Sequence, residues 1–351
     1  MQATAARTRG TNLVVLVARV REAGIVLFLL LLIVFFALKS PVFLTGTNLG
    51  NILEAIAVLT VVAVGETCVI LARQIDLSVG SILGVCALVI AVLVRDHPDL
   101  PVVVLFLVGI AVGTALGALN GLLITAGRLP SIIATLGTLY VFRGVDVLIS
   151  NYTTGSGEVY SQETGASPAF ANTATGTPLG LQNSVIIAAL VALAFGYMLR
   201  NTRTGRAIYA VGGNPLAARL AGLKVERVTL LVFAISGMLT GLAAVLYTSL
   251  HLDTTVHEGE NFELIVVSAV VIGGTNIFGG SGTILGTVLG ALLIGVVQNG
   301  LQTGNINPFW EQAIYGVAIL GAVIVDAIIT RRLQQALRQL AQLKSEGKVA
   351  S

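Results

Sequence analysis

The sequence predicts an all-α polytopic membrane protein of about ten transmembrane helices, arranged as an inverted five-plus-five repeat. Three observations carry that expectation. First, the 351 residues are 55% hydrophobic and only 11% charged, where a soluble domain of this size carries about a quarter charged residues. Second, the apolar residues fall in runs of the length that crosses a hydrocarbon core, with basic residues gathered in alternate loops. Third, "GTALGAL" at 113–119 returns as "GTVLGAL" at 286–292.

Taken in order, the apolar runs place spans at 23–38, 52–72, 80–95, 101–125, 131–150, 182–200, 228–250, 262–273, 282–301 and 310–329. The third and eighth are short, as tilted or re-entrant segments are. The first runs directly into Lys39-Ser40-Pro41 without a small-residue cleavage pattern, so it reads as a retained span rather than a signal peptide. A cytoplasmic N-terminal arm, 1–22, then precedes a membrane domain over 23–330, and a cytoplasmic basic tail, 331–351, follows it. With the N-terminus inside, the inner loops hold Arg73, Arg128, Arg200, Arg203, Arg206, Arg219, Lys224 and Arg227, and the outer loops only Lys39 and Arg95. This is a lopsided positive-inside pattern, with both termini cytoplasmic. Each copy of the echoed heptapeptide is followed by a loop and a proline, Pro130 or Pro308, that starts the next span. The echo therefore aligns span 4 with 9 and span 5 with 10, and an odd number of spans per repeat inverts the second copy. Inverted repeats are a frequent plan for transporters, with the path at the repeat interface.

Polar interruptions of the apolar runs are the candidate path. "GETCVILARQIDLSVGSILG" (65–84) contains Glu66, Arg73, Gln74 and Asp76. An ionisable group in a membrane needs a partner or a wet cavity. Asp76 is either a cap of span 3 or part of a broken hinge with Ser78 and Gly80, and the two roles are compatible. Glu66 lies deeper in its span than a cap would. Asn120, Thr135 and Asn299 complete the set of polar candidates inside spans. In "RGVD", Arg143 and Asp146 stand three apart on one helical face, as an ion pair does.

Other chemistry finds no support. "GGTNIFGGSG" (273–282) lacks the Lys-Ser/Thr ending of a phosphate-binding loop and reads as a flexible inner loop. His251, His257, Asp253 and Glu258 share an outer loop without metal-site spacing, so no metal site is expected. Cys68 and Cys86 lie in apolar spans, which argues against a disulfide framework. No catalytic constellation emerges, and the chain is not expected to be an enzyme.

One segment does not fit a bilayer at all. "GGNPLAARLAGLK" (212–224) spells a helix of about two turns, with Asn214 as N-cap, Pro215 at the first position and Gly222 as the left-handed closing residue. Leu216 and Leu220 share a face, Arg206, Arg219 and Lys224 surround it, and Ala217, Ala218 and Ala221 permit close docking. A short rigid helix just inside the membrane suits contact with a cytoplasmic partner.

Four stretches then resemble one family. "IDLSVGSILG" (75–84), "LPSIIATLGTLYVFRG" (129–144), "GRAIYAVGGNPLAARLAGL" (205–223) and "VIGGTNIFGGSGTILGTVLGALLIG" (271–295) are similar to the permease subunits of bacterial ABC importers for monosaccharides and autoinducer-2. The resemblance implies an ABC importer permease fold, an inner-membrane location and a coupling segment at 201–227. It also implies three partners: cytoplasmic ABC ATPase subunits, a periplasmic or lipid-anchored sugar-binding protein, and a second permease copy or paralogue. No cofactor is expected in this chain, with ATP and Mg on the partner ATPase. Arg73-Gln74 stand where sugar members commonly read Gly-Gly, which resembles the rhamnose and autoinducer-2 branches more than the ribose branch. The competing expectation is a self-sufficient secondary transporter, for which Glu66 with Asp76 is the plausible ion-coupling set.

Overall fold

The computed structural model of the chain describes residues 24–154, 160–161, 167–178, 180–307, 310, 313–317 and 320–321. The N-terminal arm, the basic tail and most of the expected last span lie outside the described residues, as does Pro308. The helices are α1 (Gly24–Lys39), α2 (Gly46–Leu71), α3 (Val79–Asp96), α4 (Val102–Thr125), α5 (Ser131–Thr154), α6 (Pro168–Thr175), α7 (Asn183–Asn201), α8 (Arg203–Gly213), α9 (Pro215–Leu220), α10 (Val225–His251), α11 (Phe262–Ile272) and α12 (Ile284–Thr303). A two-residue antiparallel ladder joins Tyr160–Ser161 to Asp253–Thr254. Among the described residues, seven helices are long and apolar enough to cross a membrane, and α1 and α11 are shorter apolar helices. The protein is a polytopic helical bundle.

The two longest helices, α2 and α10, occupy the centre and are mostly buried, whereas α4, α5 and α7 turn most of their apolar surface outward. That division follows from residue size. Gly65 of α2 sits on Ser236 of α10, where an added Cβ would lie 2.9 Å from Ser236 Cα. Gly109, Gly113, Gly117 and Gly121 recur every fourth residue along α4 and lay one bare ridge against α10. At the crossing, a Cβ on Gly117 would lie 2.9 Å from Gly237 Cα. Such close approach maximises dispersion contact where lipid provides no hydrophobic drive between helices.

The helix partners follow the repeat. α4, the fourth span, packs on α10, the seventh; α12, the ninth span, packs on α2, the second. A repeat that equates span 4 with 9 and span 2 with 7 requires this exchange of partners. α3 against α10 is matched in the same way by α11 against α2.

Candidate functional site

The chain breaks twice between long helices, and the breaks meet. After Leu71, Arg73 turns through a left-handed conformation (φ +64°) and residues 74–76 run without helix before α3 begins. After α10, Leu252 (φ +53°) and Asn261 (φ +61°) bracket a loop that returns into the bundle. Gly80, in the first turn of α3, abuts the Gly259 carbonyl and the Glu263 carboxylate. One turn further, a Cβ on Gly84 would lie 2.9 Å from both Asp146 Oδ2 and the Glu258 carbonyl. Gly80 is sixteen positions, about 24 Å of helix, from the C-terminal end of α3 at Asp96. The loop that sequence alone leaves on the outer surface therefore reaches deep into the bundle.

The first break is held by its own polar side chains. Asp76 Oδ1 accepts from Ser78 N–H at 2.9 Å and from Ser78 Oγ at 2.6 Å, and Asn120 Nδ2 of α4 donates to Ser78 Oγ at 2.7 Å. Glu66 Oε1, one helical stretch back on α2, accepts from the Asp76 N–H at 3.1 Å. From α5, Ser131 Oγ accepts from the Ile75 N–H at 3.3 Å, and Thr135 Oγ1 donates to the Ser131 carbonyl at 2.9 Å beside the Ile75 carbonyl. Glu66, Asp76, Ser78, Asn120 and Thr135 are all buried. Four elements thus converge on one irregular turn and take up the Ile75, Asp76 and Ser78 N–H groups, the kind of partner that non-helical backbone at membrane depth needs.

Two expectations change here. Asp76 is not the N-cap of α3; that position is Ser78, and Asp76 holds Ser78 through a side-chain turn two residues earlier. Asn299 is not part of the cluster. It exchanges two hydrogen bonds with Asn48, at 2.8 and 2.9 Å, and Asn48 lies eighteen residues, about 27 Å of α2, from Glu66. One lone polar residue in an apolar span does not reveal which neighbour satisfies it.

The second break carries residues that sequence reading left in solvent. Arg143 Nη1 donates to the Glu258 carbonyl and lies 3.7 Å from Asp146 Oδ2, so the expected pair forms and also ties α5 to the returning loop. Tyr247 donates to Glu258 Oε2, while Glu258 Oε1 accepts from Thr255 N–H at 3.3 Å. His257 stays exposed beside Glu260. Reading "RGVD" together with the loop's acidic residues was the available signal.

The short helix spelled by 212–224 forms, as α9. Asn214 Oδ1 accepts from Ala217 N–H at 3.0 Å, and Pro215 occupies the first position. At the far end Leu223 N–H bonds the Ala218 carbonyl and Gly222 N–H the Arg219 carbonyl, both at 3.0 Å, with Gly222 left-handed at φ +85°. That double bond pattern is a Schellman closure. Leu216 and Leu220 are 70% and 82% exposed. Ala217 and Ala221 are exposed too, but Ala218 is buried against the bundle, so it is a packing residue rather than a docking one. Arg206 belongs to a separate helix, α8, and Arg219 pairs with Glu226.

The "GGTNIFGGSG" loop is hydrogen-bonded to the bundle at several points. Gly280 N–H bonds the Leu71 carbonyl at 2.9 Å, Asn276 N–H bonds the Ser281 carbonyl at 2.8 Å, and Tyr209 of α8 donates to the Gly282 carbonyl at 2.7 Å. Burial, with Cys68 nearby, pushes the Tyr209 phenol up to about 12, so it remains a donor. This contact links α8 to the loop before α12, which itself bonds the end of α2.

Comparison with known proteins finds relatives over most of the chain. A family described as the permease component of branched-chain amino acid transport systems matches residues 48–323. The ribose import permease of Escherichia coli K12 is 39% identical over 298 residues, covering 85% of this chain and 91% of that protein. The D-allose transport system permease of the same organism is 36% identical, covering 87% and 91%. The autoinducer 2 import system permease of Enterobacter sp. strain 638 is 34% identical, covering 90% and 88%. No solved structure matches the chain. The chain belongs to this permease family, among the ABC importer permeases for sugars and autoinducer-2.

Proposed function

We propose that this chain is the membrane subunit of an ATP-driven importer, passing a monosaccharide or related small polar molecule from a binding protein to the cytoplasm. The observation that carries the reading is α9: six residues, capped at both ends, with Leu216 and Leu220 exposed on a face that the bundle leaves uncovered. A helix so short forms only where capping fixes it, and its two leucines suit a groove on a cytoplasmic ATPase. Arg206, Arg219 and Lys224 are the polar contacts around it. ATP and Mg belong to that ATPase, and this chain needs no cofactor of its own.

The path in this reading runs through the meeting of the two breaks, lined by Glu66, Asp76, Ser78, Gly80, Asn120 and Thr135, with Arg143 and Glu258 closing it from the opposite side. A second permease copy or paralogue completes it. The chain lies in the bacterial inner membrane with both termini cytoplasmic, α9 on the inner surface, and the arm, membrane domain and tail divided at 23 and 330. Arg73-Gln74 favour a rhamnose- or autoinducer-2-like ligand, whereas identities run higher to the ribose and allose permeases. The narrower assignment is read from the ligands of the copurifying binding protein.

The test is N214G/P215G, which removes the cap and the fixed first turn. In proteoliposomes with the ATPase and binding protein present, uptake is expected to fall while basal ATP hydrolysis continues. Normal uptake with normal ATPase stimulation would overturn the assignment. Abolition of uptake by an uncoupler at constant ATP would instead favour ion-coupled secondary transport through Glu66 and Asp76.

A further inference from the structure

An open groove lies between α7, α8 and α12, away from the two breaks. Its volume is about 1180 Å³, and its wall is apolar and small-featured: Ala189, Leu193 and Gly196 on α7 face Leu285 and Val288 on α12. Its polar end is formed by Arg200 and Arg206, and no acidic side chain lines it among the described residues. Arg200 closes the last turn of α7, so the groove starts at the loop rich in arginine and runs toward the bilayer centre. From Ala189 to Arg200 is about 17 Å of helix, close to the depth of one leaflet, which is about 15 Å. Leu193 is 71% exposed in this wall, and a Cβ on Gly196 would find only Ile284 Cβ, at 3.9 Å. No neighbouring described side chain fills the space.

A groove of leaflet depth, apolar along its length and doubly cationic at its interfacial end, is complementary to one kind of molecule. We propose that it binds an anionic phospholipid of the inner leaflet, with an acyl chain along α7 and α12 and the phosphate on Arg200 and Arg206. Basic pockets between helices on the cytoplasmic side are suited to such headgroups. The choice of leaflet rests on the orientation proposed above; the cysteine labelling described in the Discussion tests that orientation separately. Because α8 forms one wall and leads directly into α9, a bound lipid braces the segment that carries the coupling helix.

The experiment uses the full chain reconstituted with its ATPase, with Trp310→Phe removing the native tryptophan and Leu193→Trp placing a reporter in the groove. Quenching is titrated with brominated phosphatidylglycerol and brominated phosphatidylcholine. The glycerol lipid is expected to quench at a lower mole fraction, by about fivefold for each arginine engaged. R200Q/R206Q is expected to abolish the difference while leaving quenching by the choline lipid unchanged. Equal quenching by the two lipids in the parent protein would overturn the anionic site. Quenching by neither would show the groove filled by another part of the chain, residues 310–329 first, and would equally overturn it.

Discussion

Asn120 of α4 donates its side-chain amide to Ser78 at 2.7 Å, and Ser78 donates in turn to Asp76 at 2.6 Å. A residue on the rigid α4–α10 pair thus holds the break that precedes α3. The relay explains why a short irregular turn persists inside an apolar bundle: each member satisfies the next, and loss of one strands the others.

Replacing Asp76 separates its two capacities. Asp76→Asn keeps an Oδ1 that accepts both Ser78 bonds, so folding and most uptake are expected to survive. Asp76→Leu strands the Ser78 N–H and hydroxyl and is expected to cost about 1–3 kcal/mol, with uptake lost. Thermal unfolding and transport of the two variants decide the matter. If the Asn protein is stable but inactive, the negative charge itself serves transport.

Glycines in this chain are not equivalent. A Cβ on Gly113 would meet Gly241 N at 2.8 Å and Gly241 Cα at 2.9 Å, both backbone atoms that cannot step aside. Gly113→Ala is expected to destabilise by about 1–3 kcal/mol. Gly137 and Gly144 on α5 have nothing within 4 Å, so alanine there is expected to be neutral or to stabilise by about 0.5–1 kcal/mol. Melting curves in one detergent compare the three directly.

Arg143 is the cation beside a fully buried Asp146. Arg143→Gln leaves that carboxylate unpaired and releases the Glu258 carbonyl, and is expected to cost about 3–5 kcal/mol. Arg143→Gln with Asp146→Asn is expected to recover part of the stability without restoring the tie to the loop. A double-mutant cycle on unfolding reads the coupling. Additive losses would show that the two residues do not act as a pair.

The inverted repeat puts the loops that follow its Gly-rich spans on opposite faces. A cysteine at Gly127 is expected to react with an impermeant maleimide only from the cytoplasm, and one at Gly304 only from outside. Reaction of both from a single side would break the repeat.

The seven long apolar helices and two shorter ones within the described residues, the bounds and caps of α9, and the Arg143–Asp146 pair were legible in the sequence, because each depends on local pattern. Apolar run length sets a span, Asn-Pro and Gly set a short helix, and a spacing of three sets a pair on one face. The echo of two heptapeptides pointed to which spans correspond, and the helix partners agree with it, although Gly113 and Gly117 pack on α10 whereas Gly286 and Gly290 pack on Gly273 and Ala269. Other features were settled only by the tertiary structure. The outer loop carries His257 and Glu258 and reads as solvated, yet Gly80 and Gly84 leave room for its backbone at depth. Asn299 pairs with Asn48 rather than with the Asp76 cluster, and a partner 251 positions away is invisible to periodicity. Ala218 and Leu216 share one short helix, but which of them faces the bundle was decided by how α9 lies against it. Local propensity fixes where the chain turns; burial, which depends on distant segments, decides which polar groups meet.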